Sequence, residues 1–306
     1  MKTTISYGKK EVSLYRTYAR PLTGLTPIPE SSFTGRENIL FAASIGVEVF
    51  GENFLPAYTV GDNALVVATD TMKNFILKHG MLYEGSTLEG FLHFVGTRFL
   101  ETYTHMQSLA MTGYEYPFTA ARVPAGDGTF MPSNVLFSRD HTDAGFGMIH
   151  FTRDGDVLNV TGHRAGRVGF QLIKVTGSSF AKFPRDDYTT LPEVIDRPLF
   201  IHMDLDWGYG NVEDMLDLGH GKYVASEQIS DLCQTVFHEF NSKSIQHLIH
   251  EMGQRIFARF PQIDSVGFDA QNRLWDTAFV SETDSTIKAY TDPRPPYGHI
   301  TLEMTR

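Results

Sequence analysis

The sequence predicts an α+β fold present in two copies, each with antiparallel strands and a pair of helices on one face. The main observation is a repeat: VVATDTMKNF at 66–75 returns as YVASEQISDL at 223–232, 157 positions later. The same offset aligns 87–106 with 244–263 without a gap. The length of 306 residues also suits two domains of about 150 residues each. We therefore expect one domain at 1–144 and a second at 145–306.

In the first half, alternating apolar residues predict a strand over 4–18, and a Pro- and Gly-rich loop separates it from a returning strand at 39–51. DNALVVA at 62–68 predicts a short β run. Thr69 then follows as an N-cap for a helix over about 70–82, and Thr87 caps a longer helix with apolar residues at helical spacing. Two further β segments are expected at MQSLAMTGYEYPF and NVLFSRD.

The second half repeats this order. DVLNVTG and VGFQLIKVTG predict a hairpin that turns at HRAGR. The alternation in LFIHMDLDW at 199–207 predicts a strand with one apolar face, made of Leu199, Ile201, Met203, Leu205 and Trp207. Helices are expected at about 227–240 and 244–260, and GHITLEM predicts a last strand. Layers with helices on one side often close into barrels by oligomerising, which also covers their edges.

Composition and charge exclude several classes of function. The net charge of −10 argues against nucleic-acid binding, which needs a basic surface. No window approaches the roughly 18 apolar residues of a membrane span, and no signal peptide is recognised. Cys233 is the single cysteine, so an intrachain disulfide and a multi-cysteine zinc site are both excluded. We expect a cytoplasmic protein.

Two features in the first half of the chain could take part in catalysis or binding. Thr69 and Asp70 suit a helix start, and the repeat Ser226-Glu227 favours plain capping; the free N–H groups of a helix start can also hold an anion. A lysine in YGKKEV could act as a general base if it is desolvated. The sequence alone does not choose between Lys9 and Lys10.

The segment 178–197 is the unusual part of the second half, because it is long and has no counterpart at the repeat offset. An aromatic plane and an arginine fork would hold a flat anionic heterocycle. The alternative is a loop held by aromatic burial, with Arg185 or Arg197 in surface ion pairs. Glu89 and Gln246 occupy matching positions near helix starts, so at most one of them is expected to bind an anion. His247 and His250 lack a carboxylate ligand and do not form a metal signature.

Several motifs occur together and in order: YGK at 7–9, VVATDTMKN at 66–74, FQLIKVTGSSFAKFPRDDYTTLPEVIDR at 170–197, SIQ at 244–246, QN at 271–272 and PRPPYG at 293–298. With these motifs the chain resembles the urate oxidase (uricase) family nearly end to end, with Phe170 where Leu or Val is usual. The resemblance implies two tandem T-fold (tunnelling-fold) domains and a homotetramer. It also implies oxidation of urate by O₂ and water to 5-hydroxyisourate and H₂O₂, with no cofactor and no metal.

The resemblance implies an active site between subunits. One chain would supply Lys9, Thr69 and Asp70, and another would supply Phe180, Leu191, Arg197, Ile245, Gln246 and Asn272. Phe180 would stack on the purine, while Arg197 and Gln246 would bind its two edges. Lys9 and Thr69 would relay protons, and Asn272 with Thr69 would hold O₂ and then water.

One position departs from the family. Many members carry a histidine two residues after the asparagine, where this chain has Leu274, so we expect activity with a different pH profile. One alternative is another T-fold purine or pterin enzyme, against which Gln246 and the single cysteine argue. The other is a non-catalytic urate-binding relative. The C-terminal LEMTR lacks a Ser-Lys-Leu type peroxisomal address, which also favours the cytoplasm.

Overall fold

The computed structural model describes residues 3–139, 142–273 and 275–306, which contain twelve strands and six helices. The strands are β1 Ser6–Thr17, β2 Leu40–Phe50, β3 Ser108–Glu115, β4 Phe118–Pro124, β5 Phe130–Arg139, β6 Ala144–Asp154, β7 Val157–Lys174, β8 Leu199–Tyr209, β9 Ile263–Arg273, β10 Thr277–Val280, β11 Lys288–Tyr290 and β12 Gly298–Thr305. The helices are α1 Leu55–Thr59, α2 Thr69–Leu82, α3 Leu88–Thr102, α4 Glu213–Leu216, α5 Ser226–Glu239 and α6 Ile245–Arg259.

A single antiparallel sheet forms the centre of the molecule. Its eight strands are ordered β1-β2-β3-β6-β7-β8-β9-β12, and two separate hairpins, β4-β5 and β10-β11, project from it. Helices α2 and α3 pack on the first four strands, and α5 and α6 pack on the last four. The predicted α+β architecture is therefore confirmed. Within the residues described, no helix is long and apolar enough to cross a membrane.

The hydrophobic core lies between the sheet and its helices. The predicted apolar face of β8 is confirmed, and Trp207 on it is 0% exposed. The apolar stripe of α6 is buried against the sheet, at Ile245, Leu248, Ile249, Met252 and Ile256. Because each such side chain contributes about 1.5–3 kcal/mol when buried, this stripe fixes the position of the helix start.

The two halves repeat each other in detail. Helices α2 and α5 begin 157 positions apart, and so do α3 and α6. Between β1 and β7, and between β2 and β8, the offset is 158, because the pair Lys9 and Val47 corresponds to the pair Arg167 and Leu205. Strands β3 and β9 keep the offset of 157, since Glu115 corresponds to Asn272. A β-bulge follows both Lys9 and Arg167. The strand registers therefore reveal equivalent positions that a single sequence offset hides.

Each bulge contains one residue in the left-handed region. In β1 this is Glu11, with φ of 58°, and in β7 it is Gly169, with φ of 73°. A non-glycine residue is uncommon in this region, and bulges re-aim the side chains next to them. The bulge in β1 is therefore a candidate device for orienting Lys9.

Two predicted elements are wrong. Residues 62–68 do not form a strand; they form a turn and an irregular segment, in which the Val67 N–H donates to the Tyr7 hydroxyl (2.9 Å) and is not paired to a strand. Residues 157–174 do not form a hairpin at HRAGR but one strand of 18 residues. Its pairing with β6 and β8 satisfies the backbone on both sides, and the bulge absorbs the irregular spacing.

The predicted helix caps are right for one helix and wrong for another. The Thr87 hydroxyl accepts from the Gly90 N–H (3.2 Å) and caps α3 as predicted. Thr69 is not an N-cap: α2 begins at Thr69, its N-cap is Ala68, and no side chain caps it. Ser226 is likewise the first residue of α5, whose N-cap is Ala225, and no side chain caps that helix. The Thr69 hydroxyl is therefore not used for capping.

Candidate active site

The first group of predicted site residues lies where β1 meets the start of α2. Lys9 is half-buried on β1 opposite Val47, while Lys10 is exposed. The hydrogen bond between the Val67 N–H and the Tyr7 hydroxyl ties the segment that leads into α2 to the strand beside Lys9. Lys9 forms no salt bridge within the described part of the chain.

Thr69 and Asp70 are exposed at the first turn of α2. The first hydrogen bond within this helix runs from the Met72 N–H to the Ala68 carbonyl (3.1 Å), so the N–H of Asp70 precedes it and is available to a ligand. The Asp70 carboxylate accepts from Lys73 and from Asn74 (3.1 Å). The Lys73 hydrogen bond and charge lower the pKa of Asp70 most, and Lys9 adds a smaller effect. The carboxylate is thus turned along its own helix, and the helix start keeps its preference for an anion.

The second group lies on the loop between β7 and β8. Phe180 and Val194 exchange two backbone hydrogen bonds (2.8 and 2.9 Å), and the Arg197 N–H donates to the Ser178 carbonyl (2.8 Å). The Ser179 N–H donates to the Ser242 carbonyl (2.8 Å), shortly before the start of α6. The loop is therefore fixed to the helix that carries Ile245 and Gln246.

Phe180 and Arg197 lie close together in the loop. The Arg197 guanidinium carbon lies 5.5 Å from the centroid of the Phe180 ring, which also stacks on Phe183 at 4.9 Å. The Arg197 Nε is buried and has no hydrogen-bond partner among the residues described. Burial lowers the pKa of Arg197. A desolvated guanidinium without an acidic partner is suited to bind an anion from outside, so the alternative of a surface ion pair at Arg197 does not hold.

The remaining residues of this group lie at the same end of the sheet. Ile245 is buried as the first residue of α6, and Gln246 is exposed next to it. Asn272, near the end of β9, pairs with Ile201 of β8 and with Gly298 of β12. Because β8 begins two residues after Arg197, this end of β9 adjoins the loop.

Leu191 and Leu274 complete the set of predicted positions. Leu191 is 40% exposed, and its carbonyl accepts from the Arg185 guanidinium (3.1 Å). Leu274, where the family histidine is expected, lies outside the described residues. Within the described ranges, no three His, Cys, Asp or Glu side chains are grouped so that they could hold a metal ion.

One chain does not bring the two groups together. Strand β1 is the first of the eight and β9 is the seventh, so six strand spacings separate them. At about 4.8 Å per spacing, this is roughly 29 Å along the sheet. Lys9 and Thr69 therefore cannot reach a ligand held by Arg197 and Gln246 of the same chain.

The counterparts of these residues do meet inside the chain, where β6 pairs with β7. The registers equate Arg167 with Lys9, Ser226 with Thr69, Glu227 with Asp70, Glu89 with Gln246, Glu115 with Asn272 and Leu22 with Phe180. We call the place where they meet the internal cleft. Several of them, Glu115, Arg167, Glu227 and Leu22, line a cavity of about 1240 Å³.

Two hydrogen bonds hold the internal cleft together, and the second of them joins the two halves of the chain. The Arg167 guanidinium donates to the Ser226 hydroxyl (3.3 Å), which is the contact equivalent to one between Lys9 and Thr69. Tyr223, three residues before Ser226, donates to Glu89 (3.0 Å). A first-half group and a second-half group thus face each other across one junction.

The internal cleft also corrects one sequence expectation. The loop 178–197 does have a counterpart, because the bridge between Phe180 and Val194 is repeated, 158 positions earlier, by Leu22 and Arg36. The two loops share no sequence pattern, so the alignment alone did not show it. The signal that could have found it is the pair Gly8-Lys9 and Gly166-Arg167, which match only at an offset of 158.

Comparison with known proteins gives a consistent result. A family model described as Uricase matches residues 163–301. The uric acid degradation bifunctional protein PucL of Bacillus subtilis is 47% identical over 100% of this chain, which spans 62% of that protein's length. The uricase of Halalkalicoccus jeotgali is 46% identical, over 99% of this chain and 98% of its own. The crystal structure of Bacillus sp. TB-90 urate oxidase superposes with a TM-score of 0.95 at 45% identity, covering 99% of both chains.

Proposed function

This chain belongs to the uricase family, and from that premise we propose that it oxidises urate with O₂ and water to 5-hydroxyisourate and H₂O₂. The observation that carries the proposal is the 46% identity to the Halalkalicoccus uricase over 98% of that relative's length. The eight-stranded sheet with its helices on one face is a T-fold architecture, as in the urate oxidases it superposes on. We expect no cofactor, because the substrate itself supplies both electrons to O₂.

The complete site is proposed to form between two chains. The internal cleft supports this, because it places the counterparts of Lys9 and Thr69 against those of Gln246 and Asn272. There the junction is the pairing of β6 with β7; between chains it would be β12 of one copy with β1 of another. Among the residues described, both outer strands pair on one side only, as an assembly of this kind requires. A homotetramer would contain such pairs, and the cytoplasm is the location we propose.

In this site one chain would hold the purine. Phe180 would stack on its plane while the Arg197 fork binds one edge. The Gln246 amide would pair with the other edge, and Leu191 would flank the ring. The backbone N–H groups of Ile245 and of the other chain's Asp70, each at a helix start, would add donors for the negative charge.

The second chain would supply the proton relay. Lys9 would take a proton from urate, or from water, through the Thr69 hydroxyl, which no cap interaction occupies. Asn272 together with Thr69 would hold O₂ above the ring and then the water that replaces it. Two electrons and two protons pass to O₂ to give H₂O₂, and water adds to the oxidised ring to give 5-hydroxyisourate. The protein's part is orientation and electrostatics.

The division into domains stays a proposal as well. The sequence predicts a boundary at 144/145. The strand correspondence, in which β6 matches β12, favours a boundary between β6 and β7, at about residues 155–156.

The activity is tested with purified, chelator-treated protein and urate. Loss of the ultraviolet absorbance of urate is expected, with H₂O₂ released in equal amount. No loss of absorbance would contradict the proposed activity and favour a urate-binding relative. Loss without H₂O₂ would contradict an oxidation that uses O₂ as the acceptor.

A further inference from the structure

The internal cleft is occupied by a side chain of the protein itself. The Arg36 guanidinium donates to Glu227 (2.7 Å) and to Asn38 (2.8 Å), and it forms a salt bridge with Glu115 (2.5 Å). Each of its three nitrogens therefore has a partner. Asn38 is buried and donates to the carbonyls of Arg20 (2.8 Å) and Ser86 (3.0 Å), so the position of Arg36 is fixed by the loop that carries it.

The place that Arg36 takes is equivalent to the substrate's place in the proposed active site. Glu227 corresponds to Asp70 and Glu115 corresponds to Asn272, and the substrate would lie between those two residues. The guanidinium bridges the two carboxylates at this position. We propose that the internal cleft is a second copy of the substrate site, converted to bind a guanidinium cation and closed by Arg36.

The charges at two contact positions explain the change of ligand. The proposed active site has amides at Gln246 and Asn272, whereas the internal cleft has carboxylates at Glu89 and Glu115. Burial raises the pKa of Glu89 to about 7, and it also raises the pKa of Glu115. The raised pKa weakens the negative charge of Glu89 near pH 7, whereas Glu115 and Glu227 each form a salt bridge with Arg36 and present carboxylates that would repel an anionic heterocycle.

The basic residue next to the ligand position also has different partners in the internal cleft and in the proposed active site. Arg167 forms a salt bridge with Asp143 that is about nine-tenths buried, whereas its counterpart Lys9 has no salt bridge among the residues described. The charge of Arg167 is thus already neutralised by Asp143, as the charge of Arg36 is by Glu115 and Glu227. The inference rests on the proposed function only for the name of the excluded anion. Whether a contact position carries an amide or a carboxylate decides whether the proposed active site or the internal cleft accepts the anion.

The test is chemical rescue of Arg36→Ala in the full-length protein. Its melting temperature is expected to fall by about 5 °C, because two half-buried carboxylates, Glu115 and Glu227, lose their cation. Millimolar methylguanidinium is expected to restore at least about half of this loss by binding the emptied cleft. Methylurea has nearly the same shape without the charge, and it is expected to restore nothing. Arg20→Ala, on the same loop and in an exposed pair with Glu84, is the matched control and gains nothing from either compound.

Two results would overturn the inference: an unchanged melting temperature for Arg36→Ala, or equal effects of methylguanidinium and methylurea. If the variant is recovered only as insoluble protein, refolding yields with each compound replace the melting temperatures, and equal yields count against the inference. Combining Arg36→Ala with Glu115→Asn is expected to destabilise less than Arg36→Ala alone, since one repelling carboxylate is gone. If the double variant were less stable than Arg36→Ala alone, the result would contradict a cation site.

These measurements need no urate, so they separate the inference from the proposed activity. A wild-type protein that fails to oxidise urate, with intact rescue of Arg36→Ala, would contradict only the proposed function. An active wild-type protein without rescue would contradict only the inference. Because Arg36 is held by Glu115 and Glu227 in the internal cleft and is not among the residues proposed for the site between chains, Arg36→Ala that remains assembled is expected to keep its kcat/KM for urate within about twofold.

Discussion

Lys9→Met is expected to lower kcat for urate by about 10²–10⁴-fold, with a much smaller change in KM, because a positioned general base contributes this much to the chemical step. Lys9 lies beside the start of α2, directly before a bulge, and forms no salt bridge among the residues described. Methionine keeps the length of the side chain and removes its proton-accepting group. Steady-state kinetics at several pH values measure the effect.

Lys10→Met is the matched control for this prediction. Lys10 is exposed and is the next residue along the strand, so its loss should leave kcat within about threefold. A normal kcat for Lys9→Met, or an equal loss in both variants, would contradict the assignment of Lys9 as the base.

Arg197→Gln is expected to lower kcat/KM by about 10²–10³-fold, mainly through KM. The guanidinium is half-buried above the Phe180 ring, its Nε lacks a partner, and two charge-assisted hydrogen bonds to the substrate would be lost. Arg197→Lys keeps the charge without the planar fork, and its kcat/KM should lie between that of Arg197→Gln and that of the wild type. Measured values of KM that are equal for Arg197→Gln and the wild type would exclude this arginine from binding.

The elements with strong local signals were predictable. Trp207 and its neighbours on β8 alternate over the whole strand, and α6 carries an apolar stripe at helical spacing, so both were placed correctly. The helix pairs followed from the repeat, since their offset of 157 is constant from cap to cap. Local pattern and tertiary structure agree in these segments.

The wrong predictions share a physical cause, which is that non-local contacts decided the outcome. DNALVVA has β propensity, but its Val67 N–H is taken by the Tyr7 hydroxyl far away in the chain. GHRAGR has the residues of a turn, yet pairing with strands on both sides keeps it extended. Thr69 is a good N-cap residue, but α2 starts at Thr69 itself and leaves its hydroxyl available.

The residues of the candidate site were predicted through their motifs, whereas their arrangement was not. That Arg197 lies over Phe180 depends on how the loop folds back on itself. The role of Arg36 depends on two carboxylates about 80 and 190 positions away in the sequence. Its detection needs the strand register, because the offset of 158 that relates β1 and β2 to β7 and β8 differs by one from the offset in the helices.

The assembly of one site from two chains is tested most directly by complementation between Lys9→Met and Arg197→Gln. The two inactive variants are co-expressed with different tags, and mixed assemblies are purified through both tags. A mixed pair of chains contains one site with both changes and one site with neither, so about half of the wild-type activity per pair is expected. Activity no higher than that of the separate variants would show that Lys9 and Arg197 act from the same chain, and would contradict a site formed between chains.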